Sequence, residues 1–133
     1  MALRWVTGGR LYLGMLTLAS LLLMECAHAA PGGDAKAGGD VFDQECSDCH
    51  SIKPGKNKKG PSLFGVVGRK SGTATDFSYS EAMLASGILW TADKIEAYIT
   101  NPKTAVPGNK MKYDGLADAK AREDLLAFLA AQK

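Results

Sequence analysis

Residues 46–50 read Cys-Ser-Asp-Cys-His, and no other stretch restricts what this chain can fold around so severely. A structural zinc site takes about four ligands, usually from two Cys/His pairs. The only further cysteine and histidine are Cys26 and His28, both near the N-terminus, and no clustered carboxylates stand ready to complete a site. A dithiol redox centre belongs in a βαβ setting, with a helix beginning at its first cysteine. Here the motif follows a helical pattern and no strand pattern surrounds it.

The remaining chemistry is covalent haem attachment. Two cysteines at i and i+3 on a helical turn point the same way, so their sulfurs can add to the two vinyl groups on one side of a porphyrin. His50, four residues after Cys46, lies on that same side with its ring within reach of the iron.

The N-terminal segment fits this reading. Arg4 and Arg10 precede the apolar run 11–24, and Ala27-His28-Ala29 follows in a small-x-small pattern. Such a run is shorter than the ~20 residues that cross a bilayer. The expectation is a Sec signal over 1–29, cleaved after Ala29, and one domain over 30–133. Cleavage removes Cys26 and His28, leaving Cys46, Cys49 and His50 as the only cysteines and histidine. Secretion to the bacterial periplasm is expected, with no stable membrane insertion afterwards. The formal net charge of +2 gives no reason to expect a nucleic-acid partner.

Along the expected domain, "PGGDAKAGG" is a glycine-rich entry, and Asp34 to Cys46 reads as a short helix capped by Asp34. Gly38 and Gly39 lower its intrinsic helicity by about 1 kcal/mol each relative to alanine, which points to a close helix crossing. Residues 53–62 form a basic loop and 65–80 read as loop and turns. Residues 80–87 read as one or two helical turns closed by Gly87. Thr91 caps a helix on which Ile95, Tyr98 and Ile99 recur, and Asn101-Pro102 stops it. Residues 103–115 read as an irregular loop. The segment 116–133 is the strongest helix, with Ala121, Leu125, Phe128 and Leu129 on one face and Lys120, Arg122, Glu123 and Asp124 polar. The fold class is all-α: about four short helices and long loops wrapped around one bound group.

The second axial position separates a carrier from an enzyme. If it is filled, the iron mainly changes valence; if it is open, the iron binds oxygen or peroxide. The soft candidates are Met83 and Met111. Met83, in "SEAMLASG", reads as core packing. Met111, in "VPGNKMKY", sits on a polar, proline-bearing loop where a methionine has no evident core role. Thioether ligation would raise the reduction potential.

Taken in order, these motifs resemble the class I c-type cytochromes, mitochondrial and soluble bacterial, over nearly all of the expected domain. "GDAKAGGDVFDQECSDCH" resembles the N-terminal helix leading into haem attachment, and "KKGPSLFGVVGRKSG" the loop beneath the proximal histidine. The resemblance implies one haem c bound through Cys46 and Cys49, with His50 and Met111 as iron ligands. It implies that the Pro61 carbonyl accepts the His50 ring N–H, and that Arg69, Tyr79 and Trp90 hold a propionate. It places Tyr98 near the Met111 sulfur, and Gly38 and Phe42 at a crossing with Leu125 and Phe128. Glu45 departs from the pattern, standing where many relatives have a lysine, whereas Lys53, Lys56, Lys58, Lys59, Lys103, Lys110 and Lys112 supply a basic rim.

The function implied is a monomeric one-electron shuttle and not an enzyme. Its partners would be a cytochrome bc-type complex on one side and an oxidase, photosynthetic reaction centre or reductase on the other. The alternative is a peroxidase-like haem enzyme or ligand sensor, which requires Met111 to leave the iron free.

Overall fold

The computed structural model describes residues 32–133. The expected signal segment and its cleavage point lie outside the described residues. Five helices follow in chain order: α1 (Ala35–Glu45), α2 (Glu81–Ala85), α3 (Ala92–Thr100), α4 (Pro102–Ala105) and α5 (Ala119–Ala131). The described residues contain no strand beyond a single antiparallel bridge between Lys70 and Leu89.

Each helix begins on a polar cap that satisfies backbone N–H groups otherwise left without partners. Asp34 accepts from Lys36 and Ala37 at the start of α1, and Ser80 from Met83 at α2. Thr91, Asn101 and Asp118 do the same for α3, α4 and α5. Pro102 was expected only to stop the preceding helix. It does so, but it also opens α4 as a first-turn residue, where its missing N–H has nothing to lose.

The frame is the crossing of α1 and α5. An added Cβ on Gly38 would stand 1.9 Å from the Asp124 carbonyl oxygen and 2.8 Å from the Phe128 Cβ. Only a glycine permits backbones that close. Gly39, the second glycine of the helix, meets the Phe128 ring at an ordinary 3.4 Å, so of the two only Gly38 bears the crossing; ahead of the helix, Gly33 comes as close, a Cβ there lying 2.2 Å from the Glu123 carbonyl oxygen. The Phe42 and Phe128 rings pack at 5.5 Å, and Leu125 is 2 % exposed beneath them.

Asp124 corrects the sequence reading. Grouped there with Lys120, Arg122 and Glu123 as polar, outside the apolar face of the helix, it is buried at 6 % exposure. Its carboxylate accepts the Asp34 backbone N–H at 2.6 Å and the Lys120 ammonium one turn earlier. These donors hold its pKa below the ordinary carboxylate value, Lys120 contributing most. The negative group therefore sits at the N-terminal end of α1, where exposed amides favour it.

A candidate cofactor site

α1 ends by delivering the motif. Cys46 is its C-cap, and the Cys49 and His50 amides both fold back to the Cys46 carbonyl, at 3.1 and 2.9 Å. This single turn gathers both sulfurs and the imidazole on one wall of a cavity of about 540 Å³. Burial, then the charge of Glu45, pushes the Cys46 thiol up to about 11. That is the opposite of the lowered pKa a redox dithiol needs.

His50 is fixed from behind. Its Nδ1 lies 2.7 Å from the Pro61 carbonyl oxygen. A carbonyl only accepts, so Nδ1 carries the proton and the Nε2 lone pair is left for a metal. Burial lowers the His50 pKa, partly opposed by that bond, which keeps the ring neutral and able to ligate. Gly60 makes the position possible: a Cβ there would lie 2.3 Å from the ring's Cε1. Sequence reading missed Gly60, because a glycine in a lysine-rich loop looks like a turn.

The opposite end of the chain reaches the same cavity. Met111 lines it from the loop between α4 and α5, its backbone N–H held by the Asn109 carboxamide at 2.9 Å. Asn109 also donates to the Pro102 and Val106 carbonyls, both at 2.8 Å. Met83 lines the cavity too, at 8 % exposure on α2, so it packs as expected but against the site itself.

Arg69, Tyr79, Trp90 and Tyr98 all border the cavity. Arg69 donates to the Ser62 and Phe64 carbonyls at 2.8 and 3.1 Å, and burial draws its pKa below the ordinary value. A guanidinium has five N–H donors, so this anchoring leaves others for an anionic group. The Tyr79 hydroxyl accepts the Ala74 N–H at 3.2 Å, keeping its own proton to donate. Trp90 and Tyr98 pack ring to ring at 5.2 Å, and burial pushes the Tyr98 hydroxyl up to about 12. Where the loop closes over the mouth, the Tyr113 hydroxyl donates to the Glu45 carboxylate at 2.9 Å. Burial first, and then that bond, raise the Tyr113 pKa.

A cavity of this size falls within the range of small-molecule and cofactor sites. Its wall combines two thiols, one neutral imidazole, apolar side chains such as Leu63, Val66 and Leu129, and a guanidinium. That donor set fits a planar, largely apolar group with a metal centre and acidic substituents, attached through sulfur. Fold and site together define a small helical haem protein of the CxxCH class.

The comparisons with known proteins agree. The family model "Cytochrome c" matches residues 35–133. A cytochrome c2 of Rhodopila globiformis is 47 % identical over 105 residues, covering 79 % of this chain and 99 % of that protein. A cytochrome c of Arabidopsis thaliana is 43 % identical over 107 residues, covering 80 % of this chain and 96 % of that one. Among solved structures, cytochrome cH from Methylobacterium extorquens superposes with a TM-score of 0.70 at 39 % identity, covering 74 % of this chain and 98 % of that one. The chain belongs to the cytochrome c family: it is a class I c-type cytochrome, an electron carrier with covalent haem c and not an enzyme. Cys46 and Cys49 fit the haem-attachment motif of that family.

Proposed function

We propose that this cytochrome is a periplasmic one-electron shuttle whose haem iron is held by His50 and Met111. When bound, the haem supplies a one-electron couple at its iron. His50 serves as proximal ligand through Nε2, oriented by the Pro61 carbonyl. Met111 serves as the second ligand, its loop positioned by Asn109. Arg69, Tyr79 and Trp90 offer donors to the acidic substituents, since a carboxylate withdrawn from water needs a cation or hydrogen bonds. Tyr98, buried beside Trp90, closes the apolar wall and keeps water from the site.

One observation carries the ligand assignment. The Nδ1 bond to Pro61 leaves a neutral imidazole with a free lone pair on the wall of the cavity that Met111 also lines. The test is the absorption spectrum of the ferric holoprotein. The weak long-wavelength band of iron–sulfur ligation is expected in the unsubstituted protein and in Met83→Ala, and is expected to vanish in Met111→Ala. A band that survives Met111→Ala, or is lost in Met83→Ala, overturns the assignment.

Export is supported by the apolar segment 11–24 with its small-x-small site, because haem attachment to CxxCH takes place outside the bacterial cytoplasm. Lys59, Lys110 and Lys112 border the cavity mouth. They suit brief docking to acidic faces of a cytochrome bc-type complex and of an oxidase, reaction centre or reductase. Such contacts bury on the order of 1,200 Å² or less and form at salt-dependent rates. Electron-transfer rates with isolated partner complexes should fall steeply with ionic strength; rates indifferent to salt would remove the basic rim from the account.

A further inference from the structure

The loop that carries Met111 is tied unevenly. At its start, Asn109 holds it to Pro102 of α4. At its end, the Leu116 N–H reaches the Ile99 carbonyl of α3 at 2.8 Å, and the Leu116 carbonyl accepts from Arg122 of α5 at 2.7 Å. Lys103 of α4 pairs with Asp114 at 2.9 Å. Every one of these ties runs to the α3–α4–α5 side. Among the described residues, a single hydrogen bond joins the loop to the other side of the mouth, where the motif lies: Tyr113 to Glu45, the last residue of α1 and the neighbour of Cys46.

We infer that the Glu45–Tyr113 hydrogen bond is the latch that keeps the Met111 loop closed, and so sets how readily a small neutral nitrogen ligand such as imidazole displaces Met111 from the iron. The inference rests on Met111 being an iron ligand, as proposed above. Both partners are positioning residues: neither is assigned a bond to the metal. The two elements are separated by sixty-eight positions in the chain, so no local structure holds them together in the latch's absence. Tyr113 itself lines the cavity and is half-buried, so its ring packs whether or not the hydroxyl is bonded. Tyr113→Phe therefore removes the bond and leaves the packing.

An imidazole titration of the ferric holoprotein, followed by loss of the iron–sulfur band, reads the latch directly. A hydrogen bond of ordinary net strength predicts that the apparent imidazole dissociation constant falls about five-fold in Tyr113→Phe and in Glu45→Ala. The double variant should fall no further than either single one, because each removes the same bond. Glu45→Gln keeps an acceptor oxygen and should return to within about two-fold of the unsubstituted protein. Shifts below about two-fold in both single variants, or shifts that multiply in the double, overturn the latch. If Glu45→Ala yields no holoprotein, Tyr113→Phe decides alone: hydrogen exchange at the Met111 and Lys112 amides should quicken, and unchanged exchange overturns the latch. An unsubstituted protein without the iron–sulfur band overturns the ligand reading and the latch together. A normal band with unmoved imidazole affinity overturns the latch alone.

Discussion

The α1–α5 crossing and the Met111 loop are both non-local, yet they are built in different ways. At the crossing, backbone meets backbone with no room for a methyl group at Gly38, and a buried carboxylate in the middle of α5 ties that helix to the start of α1. At the loop, the chain is carried past the cavity on side-chain hydrogen bonds, those of Asn109 partly buried and that of Tyr113 exposed. The crossing holds its shape through excluded volume, which cannot be relaxed without moving a helix. The loop holds its shape through bonds that water can replace. The proposed carrier role uses both: a rigid frame that presents the CxxCH turn, and a more loosely tied arm that bears the proposed ligand Met111.

The contrast is broken most severely at Gly38. Gly38→Ala drives a Cβ into the Asp124 carbonyl, and chemical denaturation should show a loss of about 3 kcal/mol. Gly39→Ala has ordinary clearance to Phe128, and its better helix propensity should keep the change within about 1 kcal/mol of zero. Equal losses at the two positions would mean that the crossing is not as close as described.

Next comes Asn109→Ala, which strips the loop of two donated bonds and one accepted bond. Denaturation should show a loss of about 1–2 kcal/mol, accompanied by weakening of the iron–sulfur band. If the loss appears with an unaltered band, Asn109 stabilises the fold without positioning the ligand.

Asp124→Asn tests the polar half of the crossing through pH. The folded pKa of Asp124 is lowered by Lys120 and by the Asp34 N–H, so its contribution is fully present above the unfolded value of about 3.9. It is lost as pH falls through the lower folded value, where the unfolded state no longer holds the excess of protons. Replacement with Asn should flatten the acid limb of a stability-versus-pH curve and, because Asp124 raises the Lys120 pKa, the strongly alkaline limb as well, leaving its shape around neutrality unchanged.

The smallest effect belongs to the loop's rim. Lys103 and Asp114 form an exposed pair, so Lys103→Ala should cost under about 0.5 kcal/mol at moderate salt. A larger loss, abolished by added salt, would show the rim bonds to be stronger than solvent screening allows.

How much of this was legible follows from how far each signal reaches along the chain. The caps Asp34 and Thr91, the apolar spacing of Ile95, Tyr98 and Ile99, and the stop at Asn101 are all local, and the helices appear where those signals place them. α4 leaves no trace in the sequence pattern, because four residues are too few for any periodicity to register. The burial of Asp124 is hidden among charged chain neighbours, because it depends on α1, ninety residues away. Gly60 gave no sign of its part, since the ring it accommodates is set by a separate turn.

By itself, the amino-acid sequence determined the chemistry: a CxxCH turn offers two thiols and an imidazole at spacings that follow from helical geometry, whatever the rest of the chain does. It also determined the helical class and the main caps, because these depend on residues within a turn of one another. Tertiary structure alone decided which glycine bears the crossing, that Gly60 gives His50 its room, and that Tyr113 meets Glu45 at the mouth. Those are distances between segments far apart in the chain, and they exist only once the helices have excluded water and fixed one another's positions.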